Sequence, residues 1–518
     1  MKVEARVLGR RLPAGQDPLA AYRALGCGEP GTGLFEAPDG QVLVMARACV
    51  RAEARDGTVV IEALNANGET LLEALDSAAL VERRTDRLTL AFALPKSDDA
   101  SERLLGAQPL HALRALLSAA AAPSGEPFGA VLLGVAGFDL AGWGEAMPPA
   151  PASDFPEFVF WVPDTLLTIA PGGAARLLCT AFGADERHAH DAARRLEEGL
   201  AKLGSSLSRS DGEVPARSAD GGAPPLVASR PVPLPTASGG REDLFTPDLD
   251  DDAFAALVIR LKQEIAAGEV YQIVPSRTFR GPCPDPLDAY ARLRAAEPAS
   301  YRFFVAGDGW TLLGASPETS VRLSPGGATG RVVEVKPIAG TRPRGASPDE
   351  DDRLEAEMRL DGKELAEHMM LVDLARNDVA RVSLPGTRRV AKLLTVERFA
   401  RVMHLVSSVT GILRPGYDAF DALAACLNVG TLVGAPKIRA MQLLRAHEAT
   451  RRGPYGGAVG WIAGDGRMDT AVVIRSALVC DGVAAVRSGA GVVHDSVPEA
   501  EAAETRAKAS ALLGVLSA

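Results

Sequence analysis

The chain has 518 residues, with a formal net charge of −10 from 56 basic and 66 acidic side chains, and only 5% of its residues are aromatic. That length suggests two to four domains and ample apolar material for a large core, while the acidic balance excludes nucleic-acid binding by bulk electrostatics. An anionic ligand would have to meet locally placed arginines and backbone amides.

In the first region, residues 1–203, Q-V-L-V-M-A-R-A-C-V (Gln41–Val50) and T-V-V-I-E-A-L (Thr58–Leu64) read as strands, and D-A-A-R-R-L-E-E-G-L-A-K-L (Asp191–Leu203) as an amphipathic helix. Residues 204–247 are rich in Ser, Gly, Pro and Asp with no hydrophobic period, which predicts a linker or a long surface excursion. From residue 248 to 518, strands with short turns alternate with helices predicted over Asp252–Ala267 and Glu499–Leu513. This is a mixed α/β pattern without a dictated strand order. The N-terminus lacks an apolar signal segment, and no apolar run approaches the ~18 residues of a membrane span. Six cysteines, Cys27, Cys49, Cys179, Cys283, Cys426 and Cys480, carry no CxxC spacing, which predicts reduced thiols in a cytoplasmic protein.

The chemistry concentrates in the last region. K-E-L-A-E-H places Glu364 and Glu367 one helical turn apart, and E-A-E-A-A-E-T does the same for Glu501 and Glu504. Residues i and i+3 share a helix face, so two such helices brought together concentrate four carboxylates, the ligand type of a hard cation such as magnesium. Around them lie G-E-V-Y-Q-I-V-P-S-R (Gly268–Arg277), G-A-S-P-E-T-S (Gly314–Ser320), P-I-A-G-T-R-P-R-G (Pro337–Gly345), M-H-L-V-S-S-V-T-G (Met403–Gly411), Y-G-G-A-V-G (Tyr455–Gly460) and V-V-I-R-S-A (Val472–Ala477). A further stretch, G-T-L-V-G-A-P-K from Gly430, imitates a P-loop, but its spacing is not GxxxxGK[ST], so nucleotide binding is rejected there.

In this order, the motifs resemble the chorismate-utilising enzymes, most closely the anthranilate synthase large subunit (component I), densely over residues 250–515. The resemblance implies an α+β fold in which two packed large antiparallel β-sheets are covered by helices. It implies that Glu367 and Glu504 touch Mg2+, with Glu364 and Glu501 beside them. Glu318 would protonate the departing C4 hydroxyl of chorismate, a task suited to a carboxyl raised by burial. His404 would orient the metal-bound carboxylate or handle a proton in a second step. Gln272 and Thr341 match catalytic motifs, and Ala339 and Gly340 line the substrate. Thr431, Tyr455, Arg475 and Lys508 would hold the enolpyruvyl carboxylate, helped by the backbone amides of Gly489, Ala490 and Gly491.

Two positions separate reactions within the family. Water-adding relatives carry a lysine base where this chain has Gln272, and relatives that aminate at C4 often carry a lysine where it has Ala339. The resemblance therefore implies ammonia addition at C2 and then loss of pyruvate, giving anthranilate for tryptophan biosynthesis. The alternatives are a 2-amino-2-deoxyisochorismate synthase that keeps the pyruvate and a silent regulatory subunit on the same fold. The sequence offers no glutaminase nucleophile setting, so ammonia is expected from a separate glutamine amidotransferase subunit in a hetero-oligomer. An N-terminal element, Glu36 and Ala37, together with Tyr301 and Arg302, matches a tryptophan effector site. Ala37 replaces a serine there and Arg302 an apolar residue, which puts tryptophan feedback in doubt.

Overall fold

The computed structural model describes residues 2–97, 99–123, 125–148, 153–210, 244–297, 299–326, 330–398 and 402–517; the side chains of 100, 205–210 and 341 are outside this set. Most of the 204–247 stretch thus lies outside the described residues. Its first residues continue the helix Glu186–Ser210, which outlasts the composition change at Gly204.

Two long strands organise the molecule. Val42–Arg55 and Phe158–Ile169 pair along most of their length, with register shifts between Met45 and Val50. Such bulges bend a strand and sharpen its twist, and here each strand serves two sheets. On one side the ladder runs from Val42–Arg55 through Thr32–Glu36, Tyr301–Ala306, Thr311–Ser316, Ser476–Cys480 and Val483–Gly489 to Ser276–Pro282. On the other it runs from Phe158–Ile169 through Val131–Ala136, Ala458–Ala463, Met468–Val472, Thr319–Pro325 and Arg331–Val335 to Val402–Ile412. Ile338–Pro343 and Arg389–Arg398 both pair with that last strand. The two predicted sheets are therefore present, but among the described residues they form one connected, 23-stranded network.

Strand periodicity explains the layering. Along Tyr301–Ala306, Tyr301, Phe303 and Val305 turn into the space between the sheets, where they meet Phe35, Leu43, Leu133, Trp161 and Trp461. Phe304 and Ala306 turn outward, under helices that include Pro18–Ala24, Pro286–Ala296 and Pro498–Leu516. The outer face of the other sheet packs under Leu110–Ala119, Gly362–Val382 and Ala419–Cys426. The predicted helices appear as Asp251–Ala266 and Pro498–Leu516. Asp250 caps the first by accepting from the Ala253 amide, and Pro498 opens the second. Among the described residues no helix is long and apolar enough to cross a membrane, and all six cysteines are unpaired.

Candidate active site

Where one edge of the second sheet meets the helices Gly362–Val382 and Pro498–Leu516, a cavity of about 410 Å3 opens. This is within the usual range for a small-molecule site. Glu318, Ala339, Gly340, Glu364, Glu367, His404, Thr431, Tyr455, Arg475, Gly489, Glu504 and Lys508 line it together, so twelve sequence-predicted residues from nine chain segments converge on one space.

Glu318 sits in the turn between Thr311–Ser316 and Thr319–Pro325, its carbonyl fixed by the Val472 amide at 3.0 Å. The Thr431 hydroxyl donates to its carboxyl oxygens at 2.9 and 3.1 Å. Burial pushes this carboxyl up to about 8, against a smaller lowering by Thr431. Glu318 therefore carries a proton at neutral pH, as a general acid requires. His404 Nδ1 lies 3.2 Å from the Gly340 carbonyl. A carbonyl only accepts, so Nδ1 carries the hydrogen and Nε2 is the ring's acceptor. Burial, aided by Arg475, pulls His404 below its ordinary value despite the Gly340 bond, keeping it neutral. Gly340 has φ +64°, and a Cβ there would lie 3.3 Å from Glu364 Oε2.

Gln272 is buried behind the cavity and reaches it through Glu367, whose Oε1 accepts from Gln272 Nε2 at 3.2 Å. A two-residue ladder, Gln272–Ile273 against Gly434–Ala435, holds it in place. Gly434 has φ +121°, and a Cβ would fall 2.1 Å from the Gln272 carbonyl, so only glycine allows this approach. Gly491 packs on the Gln272 amide in the same way, 2.8 Å from where its Cβ would be.

Glu364, Glu367 and Glu504 line the cavity without forming a closed cage, and Glu501 lies buried one helical turn before Glu504. Arg342 holds Glu364 at 3.3 Å, Gln272 holds Glu367, and Lys508 holds Glu504 at 2.6 Å. Among the described residues no three acidic, histidine or cysteine side chains gather tightly enough for a ready coordination shell. The donors nevertheless fit a hard cation. Glu501 Oε2 is buried with no hydrogen-bond partner among the described residues. Burial raises both Glu367 and Glu501; Gln272 and Ser496 oppose this through hydrogen bonds, and the neighbouring carboxylates Glu364 and Glu504 add to it. A divalent cation would relieve that burden.

Glu501 is buried and does not line the cavity, Lys508 is engaged by Glu504 and by the Gly489 carbonyl at 3.3 Å, and the Thr341 side chain lies outside the described residues. The Ala490 amide is already committed to the Pro275 carbonyl at 3.2 Å, and that of Val492 to Ile273 at 2.8 Å, because this segment continues the strand pairing that positions Gln272. Neither amide is available to a substrate. Arg475, by contrast, is exposed into the cavity on a left-handed backbone, φ +49°. Such a conformation in a non-glycine residue persists only where its surroundings impose it.

The effector-site match maps to a separate space between the sheets, a cavity of about 20 Å3 lined by Phe35, Glu36, Ala37, Tyr301, Arg302 and Trp461 among others. That volume holds roughly one water. Glu36 is occupied by the Tyr290 hydroxyl and Arg294 Nε, each at 3.0 Å, and by Arg302 at 3.6 Å.

The cavity also contains residues that motif reading passed over, including Lys363 and Arg487. Arg487 had a readable signal, a lone cation inside the apolar strand Val483–Gly489 that demands a buried partner.

Comparison with known proteins shows the family of the chain. The family profile described as chorismate binding enzyme matches residues 76–514. A Vibrio cholerae protein named anthranilate synthase component 1 is 41% identical over 98% of this chain and 96% of its own. A Pseudomonas aeruginosa protein named anthranilate synthase component 1, pyocyanine specific, is 46% identical over 91% of this chain and 86% of its own. The crystal structure of anthranilate synthase component I from Streptococcus pneumoniae superimposes with a TM-score of 0.62 at 26% identity, covering 97% of this chain and 99% of that one. An isochorismate synthase from Escherichia coli, 18% identical with a TM-score of 0.64, shares the fold. The chain belongs to the chorismate binding enzyme family and stands among its anthranilate synthase component 1 members.

Proposed function

We propose that this chain is the aminating subunit of anthranilate synthase, converting chorismate and ammonia to anthranilate and pyruvate in tryptophan biosynthesis. The observation that carries this reading is the buried, protonated Glu318, held by Thr431 in a cavity that also presents neutral His404 and the glutamate-bearing helices. Ammonia adds at C2 of the ring while Glu318 delivers its proton to the C4 hydroxyl, which leaves as water. His404, neutral and with Nε2 as acceptor, then takes the C2 proton as the C3–O bond breaks, and the departing enolpyruvate takes up a proton to become pyruvate. Thr431, Tyr455, Arg475 and Lys508 bind the enolpyruvyl carboxylate. Glu364, Glu367, Glu501 and Glu504 would hold Mg2+, which when bound supplies a Lewis-acid anchor for the ring carboxylate.

Gln272 and Ala339 stand where a lysine would redirect the chemistry, and neither can deprotonate water or attack the ring. The ammonia comes from a separate glutamine amidotransferase subunit, a reading supported by the "component 1" in the relatives' names. The unpaired cysteines support a cytoplasmic location. Tight tryptophan inhibition is not expected, because Arg302 engages Glu36 and the cavity beside Ala37 is too small for an indole; titrating tryptophan against turnover tests this point.

The reading as a whole is tested by incubating the purified chain with chorismate. Consumption should require both Mg2+ and an ammonium salt and fall by about 10²–10⁴-fold in Glu318→Gln. Turnover without ammonium, or turnover in the Glu318→Gln variant equal to that of the parent, contradicts it.

A further inference from the structure

Glu448 follows directly on the helix Lys437–His447, is buried, and does not itself line the substrate cavity. Its carboxylate is nevertheless saturated. Oε1 accepts from the Ser276 amide at 2.9 Å, the Ser276 hydroxyl at 2.8 Å and Arg452 Nη2 at 2.8 Å. Oε2 accepts from Arg452 Nε at 2.8 Å and Arg487 Nη2 at 3.1 Å.

Each partner reaches a different wall of the site. Arg452 donates to the Leu432 carbonyl at 2.6 Å, next to Thr431, and to the Val274 carbonyl at 2.7 Å, two residues from Gln272. Its guanidinium also lies 5.9 Å from the Tyr455 ring centroid and 4.7 Å from that of Phe138. Arg487 lines the cavity and donates to the Ser276 hydroxyl at 2.8 Å and the Arg451 carbonyl at 2.6 Å. Ser276 is paired in register with Gly489. Behind this cluster lies a second cavity of about 530 Å3, and Tyr455 and Arg487 are walls of both spaces. One carboxylate thus ties together four substrate-facing segments and forms the core of the partition between two cavities.

We propose that Glu448 is a positioning residue of the aminating site, fixing through Arg452 and Arg487 where Tyr455, Thr431 and Gly489 stand around the enolpyruvyl side of the substrate. This rests on the function proposed above. The alternative is an ordinary buried ion cluster that supports only folding. Burial by itself would raise Glu448, but Arg452 and Arg487 bring it below the usual carboxylate value, so it is charged throughout the working range. Glu448→Gln keeps the shape and removes the charge, leaving two buried guanidinium groups without their counter-ion. Glu448→Asp keeps the charge and withdraws it by one methylene.

The test is steady-state kinetics of the full chain with chorismate, Mg2+ and ammonium, normalised to folded protein. Asp164→Asn serves as a structural comparator, since Asp164 forms an equally buried pair with Arg195 at 2.8 Å away from the cavity. Glu448→Gln should raise the KM for chorismate at least tenfold and lower kcat, with the KM for ammonium unchanged, and Glu448→Asp should fall between it and the parent. Asp164→Asn should lose stability at constant KM. If Glu448→Gln does not fold, Glu448→Asp carries the test. Unchanged kinetic constants per folded molecule in the variant that folds overturn the positioning role while leaving the proposed function intact. A parent chain that does not turn over chorismate overturns the function itself.

Discussion

At the scale of single residues, Glu318 carries the account. Its carboxyl titrates near 8 in the folded chain against 4.5 for an unperturbed one, so between those values the folded state holds a proton that the unfolded state has released. Stability from this group is fully present below pH 4.5 and is lost as pH rises through about 8. The stability of Glu318→Gln relative to the parent should therefore increase steadily from pH 5 to 8, as measured by denaturant melts across that range. Turnover should fall above about pH 8 as the acid is lost, and Glu318→Gln should cost about 10²–10⁴ in kcat, the usual contribution of a general acid. A kcat profile flat through that region contradicts the assignment. Glu318 was legible because G-A-S-P-E-T-S resembles a family motif, and the two glutamate pairs because helical spacing is local. Glu448 was not: its partners Ser276 and Arg487 lie 172 and 39 positions away, and nothing local announces them.

At the scale of elements, the helices Asp251–Ala266 and Pro498–Leu516 were readable to within a few residues because caps and apolar periods are written locally, whereas Glu186–Ser210 extends past its apolar period at both ends. Asp361 caps Gly362–Val382 by accepting from the Lys363 and Glu364 amides, which sets the phase that aims Glu364 and Glu367 at the cavity. The register of the short ladder under Gln272 was not readable, since two-residue strands have no period. Gly434 decides it. Gly434→Val forces a Cβ into the Gln272 carbonyl and should lower kcat with chorismate and ammonium more than tenfold, while circular dichroism stays near that of the parent. Activity equal to the parent would mean that the ladder does not position Gln272. The Ala490 amide illustrates the same limit, because a group expected to help hold the substrate is spent on the Pro275 carbonyl.

At the scale of the whole molecule, the composition change near residue 204 suggests a division that the sheets cross. Thr32–Glu36 pairs with Tyr301–Ala306, and Val131–Ala136 with Ala458–Ala463, so both ends of the chain build each sheet. Pairings between residues some 270 and 330 positions apart leave no local trace in a sequence. Phe303, fully buried between the sheets, belongs to this shared core. Phe303→Ala should cost about 3–5 kcal/mol and should shift a single cooperative transition rather than split it, as followed by tryptophan fluorescence and circular dichroism together. Two separated transitions would show that the halves fold independently.

The central claim is that this assembled cavity aminates chorismate and then expels pyruvate. The measurement that tests it most directly is the stoichiometry of products from chorismate, Mg2+ and ammonium, by mass and anthranilate fluorescence. Equal amounts of anthranilate and pyruvate are predicted, and an amino product that retains the enolpyruvyl group would contradict the claim.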